Sequence, residues 1–387
     1  MRAATEVIHT GEGRDDAANP LTTPIYETTT FIFENAEEVK AYNEGRSKKF
    51  LYSRYGNPTV VAVEKAIAAL EGADAAMLLA SGMAATSTAL LGLLKAGDEV
   101  VCSAAIYGGT LHLLADLFPQ WGLFARFATL DELREPERVI TDRTRVLWFE
   151  SPINPTLRCV DIARVAQACK ARGVISILDS TFASPVNQRP IEMGIDIVMH
   201  SVTKYLNGHS DVTAGALAGS AALMKKLDRA RKMLGSILDP QAAYAVGRGL
   251  KTLAVRVERQ NASAMTVARW LEKESRVTAV YYPGLESHPD HALAKRQMRG
   301  FGGMVCVDVG GGQARAEGFF DRLKVFKRAA SLGGVESLCS LPVLTSQWGH
   351  TDEQLAQAGV TRSMARLSVG LEDPQDLIED LDQALNL

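Results

Sequence analysis

From about residue 58 the chain alternates short apolar runs with longer stretches whose apolar positions recur every three or four residues. PTVVAVEKAIAALEG (58–72) reads as an amphipathic helix, AAMLLA (75–80) as a strand, GMAATSTALLGLLKAG (82–97) as a helix and DEVVCS (98–103) as a strand. A helix through GGTLHLLADLF, the strand RVLWFE, the helix DIARVAQACKARG and the strands VISILD and DIVMH follow. Short apolar strands separated by helices imply a mainly parallel sheet covered on both faces. The first part of the chain differs. NPLTTPIYETTTF is rich in threonine and proline, which favour extended and turn backbone, and only AEEVKAYNEG promises a short helix. Residues 1–57 therefore read as an extended arm with little core. A long helical run over 240–274 bridges into a smaller C-terminal α+β unit containing MVCVDVGG as a strand, RAEGFFDRLKVF as a helix and DPQDLIEDLDQAL as a closing helix. The expected division is a 1–57 arm, a 58–246 α/β unit and a 247–387 α+β unit. Gly310–Gly312 reads as a turn, and no internal repeat, G-x-G-x-x-G or P-loop pattern is present.

A length of 387 residues suffices for two cores, and 47% hydrophobic with 22% charged residues is an ordinary globular balance. The net charge of −3 gives no footprint for nucleic acid or an anionic membrane. Ala75 to Leu94 carry no charge and match a membrane span in length. Ser81-Gly82 and Thr86–Thr88 interrupt them, so a buried strand, a turn and a helix explain the stretch better. The five cysteines are scattered, odd in number and without a C-x-x-C pair, which points to reduced, buried thiols in a cytoplasmic protein. The N-terminus MRAATEVIHTGEGRDD is charged and lacks the apolar core of a secretion signal.

In SVTKYLNGHSDVTAG (201–215), Lys204 follows the apolar strand DIVMH with Ser201 and Thr203 beside it. A lysine just past a strand end among small donors suits an amine that must reach a carbonyl. Ligands of open α/β sheets bind beyond the carboxyl ends of the strands, and that rule gathers further segments. Ser81-Gly82-Met83 opens a helix, whose free N–H groups suit a phosphate. Tyr107 follows a second strand, Asn154 in ESPINP a third, and Asp179 ends VISILD. These types suit pyridoxal phosphate (PLP): an amine to hold it, a carboxylate for its ring nitrogen, an aromatic ring to lie against it and an amide near its phenolic oxygen. Singly, each has an ordinary alternative: Asp179 as a strand-end cap or ion-pair partner, Tyr107 as a packing residue, Lys204 as a snorkelling surface lysine.

YSRYGNPT (52–59), ASGMAA (80–85), YGGT (107–110), ESPINPT (150–156), LDSTFASP (178–185), SVTKYLNGHSD, SLGGVESL (331–338) and RLSVGLED (366–373) together resemble the Cys/Met-metabolism family of fold-type I PLP enzymes almost from end to end. The resemblance implies an aspartate-aminotransferase-like α/β fold with a mainly parallel central sheet and a smaller C-terminal α+β domain. It implies that Lys204 holds PLP covalently, Asp179 pairs with its ring nitrogen and Tyr107 stacks on it. Gly82, Met83, Ser201 and Thr203 would bind the phosphate, with Thr181 beside the cofactor. Tyr52 and Arg54 would reach the phosphate of a neighbouring subunit in a homotetramer of two active-site dimers. Arg366 would clamp the substrate α-carboxylate with help from Asn154 and Ser331, a task suited to a planar guanidinium fork.

Within the family, GRGLKTLAVRVERQ, YYPGLESHPDH and SLGGVESL resemble the cystathionine γ-lyases and γ-synthases most. Glu336 falls where those enzymes carry a glutamate near the distal part of cystathionine; a helix-start glutamate is the alternative. γ-Elimination of cystathionine to cysteine, 2-oxobutanoate and ammonia is the expected activity. γ-Replacement on an O-acylhomoserine comes next, then methionine γ-lyase or O-acylhomoserine sulfhydrylase activity. Gly109 stands where methionine γ-lyases usually have a cysteine, which argues against a methionine enzyme. Leu51 replaces an acidic residue of several cystathionine enzymes, and LTSQWGH (344–350) replaces the usual rim segment, where Trp348 and His350 either reshape the entrance or pack a loop. Intact Lys204, Tyr107, Asp179 and Arg366 argue against a non-catalytic regulator of the same fold. His288 and His291 have H-x-x-H spacing, but a Pro/Asp-rich stretch without a third ligand reads as a surface loop rather than a metal site.

Overall fold

The computed structural model describes residues 2–11 and 19–386. Its first helix of the α/β pattern, Pro58–Glu71, shows how local sequence sets an element. The Asn57 side chain accepts the Thr59 N–H at 3.0 Å, Pro58 sits in the first turn, and Gly72 closes the helix at φ 68°. Val60, Val63, Ile67 and Leu70 recur at helical spacing and are all buried.

Seven strands form the larger sheet: β1 (Ala75–Leu79), β2 (Glu99–Ser103), β3 (Phe124–Ala128), β4 (Thr144–Glu150), β5 (Ile175–Asp179), β6 (Ile197–His200) and β7 (Gly215–Gly219). Their order is β1-β7-β6-β5-β4-β2-β3. β3, β2, β4, β5 and β6 run parallel, whereas β7 lies antiparallel between β6 and β1. Trp148, Phe149, Ile177 and Val198 of the central strands are wholly buried, as expected for strands covered on both faces. A second sheet comprises β8 (Ala279–Tyr281), β9 (Met304–Asp308), β10 (Lys327–Arg328), β11 (Leu338–Ser340) and β12 (Met364–Ser368), in the order β10-β11-β12-β9-β8. Phe319, Leu377 and Leu381 of the Gly312–Arg322 and Pro374–Leu385 helices join the same core as its Val305, Val307 and Leu367.

Several elements depart from the sequence reading. The arm is not extended throughout: Ala3–His9 is helical, and Val7 is buried in the core beside the Pro58–Glu71 helix. Seven residues with no side-chain cap leave too weak a periodic signal to read. β3 and β7 are strands that the apolar pattern does not mark. β7 is GALAG because the chain crosses it closely: a Cβ on Gly215 would stand 2.1 Å from the Ser81 carbonyl oxygen. The 240–274 run is two helices, Pro240–Leu250 and Leu253–Glu272. Near their junction the buried Arg256 guanidinium donates to the carbonyls of Gly249 and Tyr205 at 2.9 and 2.8 Å. His288 is not a surface residue but only 3% exposed. The Arg158–Asp290 ion pair, at 2.6 Å, pins its loop against Cys159, whose N–H also donates to Asp290. Gly310, Gly311 and Gly312 all have positive φ, as a turn requires. All five cysteines are free and buried. Among the described residues, no helix is long and apolar enough to cross a membrane and no metal-binding group of His, Cys, Asp or Glu occurs.

Candidate active site

The carboxyl ends of the parallel strands open into a cavity of about 700 Å³. Behind β1, the Ser81 hydroxyl accepts the Ala84 N–H at 3.0 Å and caps the Gly82–Leu93 helix, which begins at the cavity wall. The first N–H groups of a helix have no intrahelical acceptor and carry the positive end of its dipole. Gly82 faces Ser201 so closely that a Cβ there would lie 3.1 Å from the Ser201 Cβ. Met83, Ser201 and Thr203 line the same wall. Small and polar, this cradle suits an anion.

Past β2, Tyr107 is half exposed at the cavity, and its N–H donates to Glu150 Oε1 at 2.6 Å. A Cβ on Gly109 would come within 2.6 Å of the Tyr107 ring, so the glycine leaves that ring its place. Asp179, at the end of β5, accepts the Thr181 N–H at 3.0 Å, while Thr181 Oγ1 accepts the Ser201 N–H at 2.8 Å. Burial pushes the Asp179 carboxyl above its ordinary value. Glu150 ends β4 in direct register with Asp179, and burial followed by the charge of Asp179 pushes it up to about 8. Two carboxyl groups side by side in a low-polarity floor call for a cation or a shared proton.

The Lys204 ammonium donates to Ser331 Oγ at 2.9 Å, and burial, then the Arg366 charge, holds its pKa below the ordinary lysine value. Arg366, from β12, donates to Asn154 Oδ1 at 2.9 Å and to the Ser331 carbonyl at 3.2 Å. These bonds use two of the five guanidinium N–H groups, so others remain for a ligand. The strand ends of one sheet and a strand of the other thus converge: Gly82, Met83, Tyr107, Asn154, Asp179, Thr181, Ser201, Thr203, Lys204, Ser331 and Arg366 all line the cavity.

Three expected residues lie elsewhere. Tyr52 is 40% exposed in a bridge with Thr30, and Arg54 donates to the Lys232 carbonyl at 2.8 Å while stacking on Tyr55. Neither lines the cavity of its own chain. Glu336 is exposed in a loop, not at a helix start, and its Oε2 faces Ser210 Oγ at 3.3 Å outside the cavity lining. Trp348 and His350, which the sequence left between two roles, line the mouth with Thr345 and Ser346. Glu150 is the residue sequence reasoning missed. It closes the strand RVLWFE, but only the register of two parallel strands sets it beside Asp179.

The residues present fit PLP. The Ser81–Met83 helix start and Ser201 offer a place for a phosphate, Asp179 an acid for a ring nitrogen, and Lys204 an amine of lowered basicity. A family model described as Cys/Met metabolism PLP-dependent enzyme matches residues 4–386. The chain is 44% identical to mouse cystathionine γ-lyase, over 99% of this chain and 94% of that one. It is 42% identical to the cystathionine γ-synthase of Mycobacterium leprae, over 99% and 96% of the two chains. The crystal structure of cystathionine γ-lyase from Lactobacillus plantarum complexed with L-serine superposes with a TM-score of 0.93 at 36% identity, covering 99% of this chain and 98% of that one. On this likeness over nearly its whole length, and with the cofactor's partners gathered in one cavity, the chain belongs to the Cys/Met-metabolism family of PLP-dependent enzymes.

Proposed function

We propose that the enzyme acts at the γ-carbon of sulfur amino acids, with γ-elimination of cystathionine as its reaction. The observation that carries this reading is the linked set Asn154–Arg366–Ser331–Lys204, which presents a guanidinium fork and an amine of lowered basicity to one cavity. When bound, PLP supplies an electron sink for the substrate's α-carbon. Arg366 holds the α-carboxylate through the donors that Asn154 and Ser331 leave free. Lys204 Nζ moves protons between the α- and β-carbons. Tyr107 Oη, at the mouth, delivers a proton to the departing sulfur, and Asp179 keeps a proton on the ring nitrogen. The anion cradle at Gly82, Met83, Ser201 and Thr203 anchors the phosphate, with Tyr52 and Arg54 of a neighbouring subunit completing it in a cytoplasmic homotetramer. Residues 58–246 and 247–387 serve as the two units whose sheets meet at the cavity.

A second reading, γ-replacement on an O-acylhomoserine, is supported by the likeness, at 42% identity over 99% of this chain, to a cystathionine γ-synthase. A panel of cystathionine, O-succinyl- and O-acetylhomoserine with cysteine, and methionine, with products identified by mass spectrometry, tests the choice. 2-Oxobutanoate from cystathionine alone is the expected result. Cystathionine formed from an acyl ester and cysteine, with no cleavage of cystathionine, would overturn it.

A further inference from the structure

Residues 345–350 have no part in the chemistry just assigned, yet Thr345, Ser346, Trp348 and His350 line the cavity mouth. Their backbone is anchored by its buried neighbours. Val343 lies in one buried cluster with Leu355, Val360 and Met364. Gln347, itself buried, donates its N–H to the Pro342 carbonyl at 2.8 Å. Trp348, next to it, is 73% exposed and belongs to no core cluster, so its place at the mouth is what the fold gives it. Leu111 and His112, from the end of the Gly108–His112 helix, line the adjoining wall. The two segments meet where Gly108 faces Ser346: a Cβ on the glycine would lie 3.4 Å from the Ser346 carbonyl oxygen.

The charges along the cavity decide what that ring meets. Among the described residues, Glu150 and Asp179 are the only carboxylates of the lining, and both sit at strand ends on the floor. Asp116, one turn past His112, pairs with it at 3.1 Å and is not part of the lining. The mouth therefore offers aromatic and imidazole groups but no acid. A substrate held by Arg366 and Lys204 runs its side chain toward this mouth, and cystathionine ends there in a second ammonium. We propose that Trp348 is the specificity-determining residue for the distal end of the substrate, taking that ammonium on its indole face where an acidic side chain is lacking. An ammonium is drawn to the electron-rich face of an aromatic ring, and indole is the strongest of the side chains in this respect. The inference rests on the γ-carbon reading above and adds what selects the far end of its substrate.

Two ligands isolate the effect: L-cystathionine, and S-(2-carboxyethyl)-L-homocysteine, which is the same molecule without the distal amine. Their dissociation constants for the PLP-loaded enzyme, read by stopped flow from the cofactor's visible absorbance, give a preference that needs no turnover. In the wild type, cystathionine should bind roughly three- to thirtyfold more tightly, the span for a cation over an indole from an exposed to a desolvated site. Trp348→Leu keeps an apolar side chain without a π face and should abolish the preference, whereas Trp348→Phe, which keeps a ring, should restore most of it. Neither change should alter the absorbance of the unliganded enzyme. In steady-state assays the Leu variant should raise KM for cystathionine and spare kcat, because the contact lies far from the reacting atoms. A wild type without the preference, a preference intact in the Leu variant, or a Phe variant as poor as the Leu variant would overturn the proposal. A wild type that shows the preference, loses it in the Leu variant and releases no 2-oxobutanoate would support the role of Trp348 while refuting γ-elimination.

Discussion

Burial holds Glu150, Asp179 and Lys204 in the cavity away from their ordinary ionisation. Glu150 is pushed from 4.5 up to about 8 by burial and then by Asp179, and Asp179 is raised by burial. The folded cofactor-free protein therefore binds a proton on Glu150 over a range in which the unfolded chain has already released it. Stability from this group is fully present below about 4.5 and is lost as pH rises toward about 8. Melting of the cofactor-free protein should thus fall across that window, and Glu150→Gln should flatten the fall. Equal slopes for the two proteins in differential scanning fluorimetry would show that this carboxyl does not titrate there. A different single residue tests the chemistry. Tyr107→Phe keeps the ring and removes the hydroxyl, so the visible absorbance of the bound cofactor should persist while turnover drops about 10²–10⁴-fold, the span of a general acid–base group. Near-normal turnover would leave Tyr107 a packing residue and assign the proton transfers to Lys204.

Among the elements, the buried central strands are legible in the sequence, whereas the half-exposed edge strand β3 and the small-residue strand β7 are not. AAMLLA, RVLWFE and VISILD announce themselves through burial on both faces, and the residues at their ends could be gathered by the rule that ligands bind there. GALAG carries no such mark, because β7 is shaped by what crosses it. Its Gly215 lies against the Ser81 carbonyl, and the same backbone turns into the helix start of the anion cradle. Gly215→Val should therefore displace the Ser81–Met83 turn as well as strain the sheet. The expected cost is about 1–3 kcal/mol for overpacking, together with weaker PLP retention on dialysis. A stable variant that retains PLP as wild type would mean that the turn tolerates the shift. Glu150 and Glu336 mark the other limit of the sequence. Whether a side chain enters a cavity depends on strand register and loop path, neither of which residue spacing encodes.

At the scale of the whole molecule the arm poses the question. Leu21, Ile32 and Met233 are 81%, 92% and 72% exposed, a scale of apolar exposure that invites cover by another chain. Tyr52 and Arg54 belong to the same arm and stand outside the cavity of their own chain. Arg54 is held at the last turn of the Ala221–Leu234 helix, where its charge meets the carbonyl of Lys232 and the negative end of the helix dipole. If two chains share each site, that anchored guanidinium is the group presented across the contact. Arg54→Ala should weaken PLP binding more than it lowers the melting temperature of the cofactor-free protein, since a charge-assisted contact to phosphate is worth about 1.5–3 kcal/mol. Sedimentation of the active wild-type enzyme should give a tetramer, and dilution should lose activity and the cofactor's visible absorbance together. A fully active monomer, or an Arg54→Ala protein that melts early yet retains PLP, would confine the role of Arg54 to its own helix end.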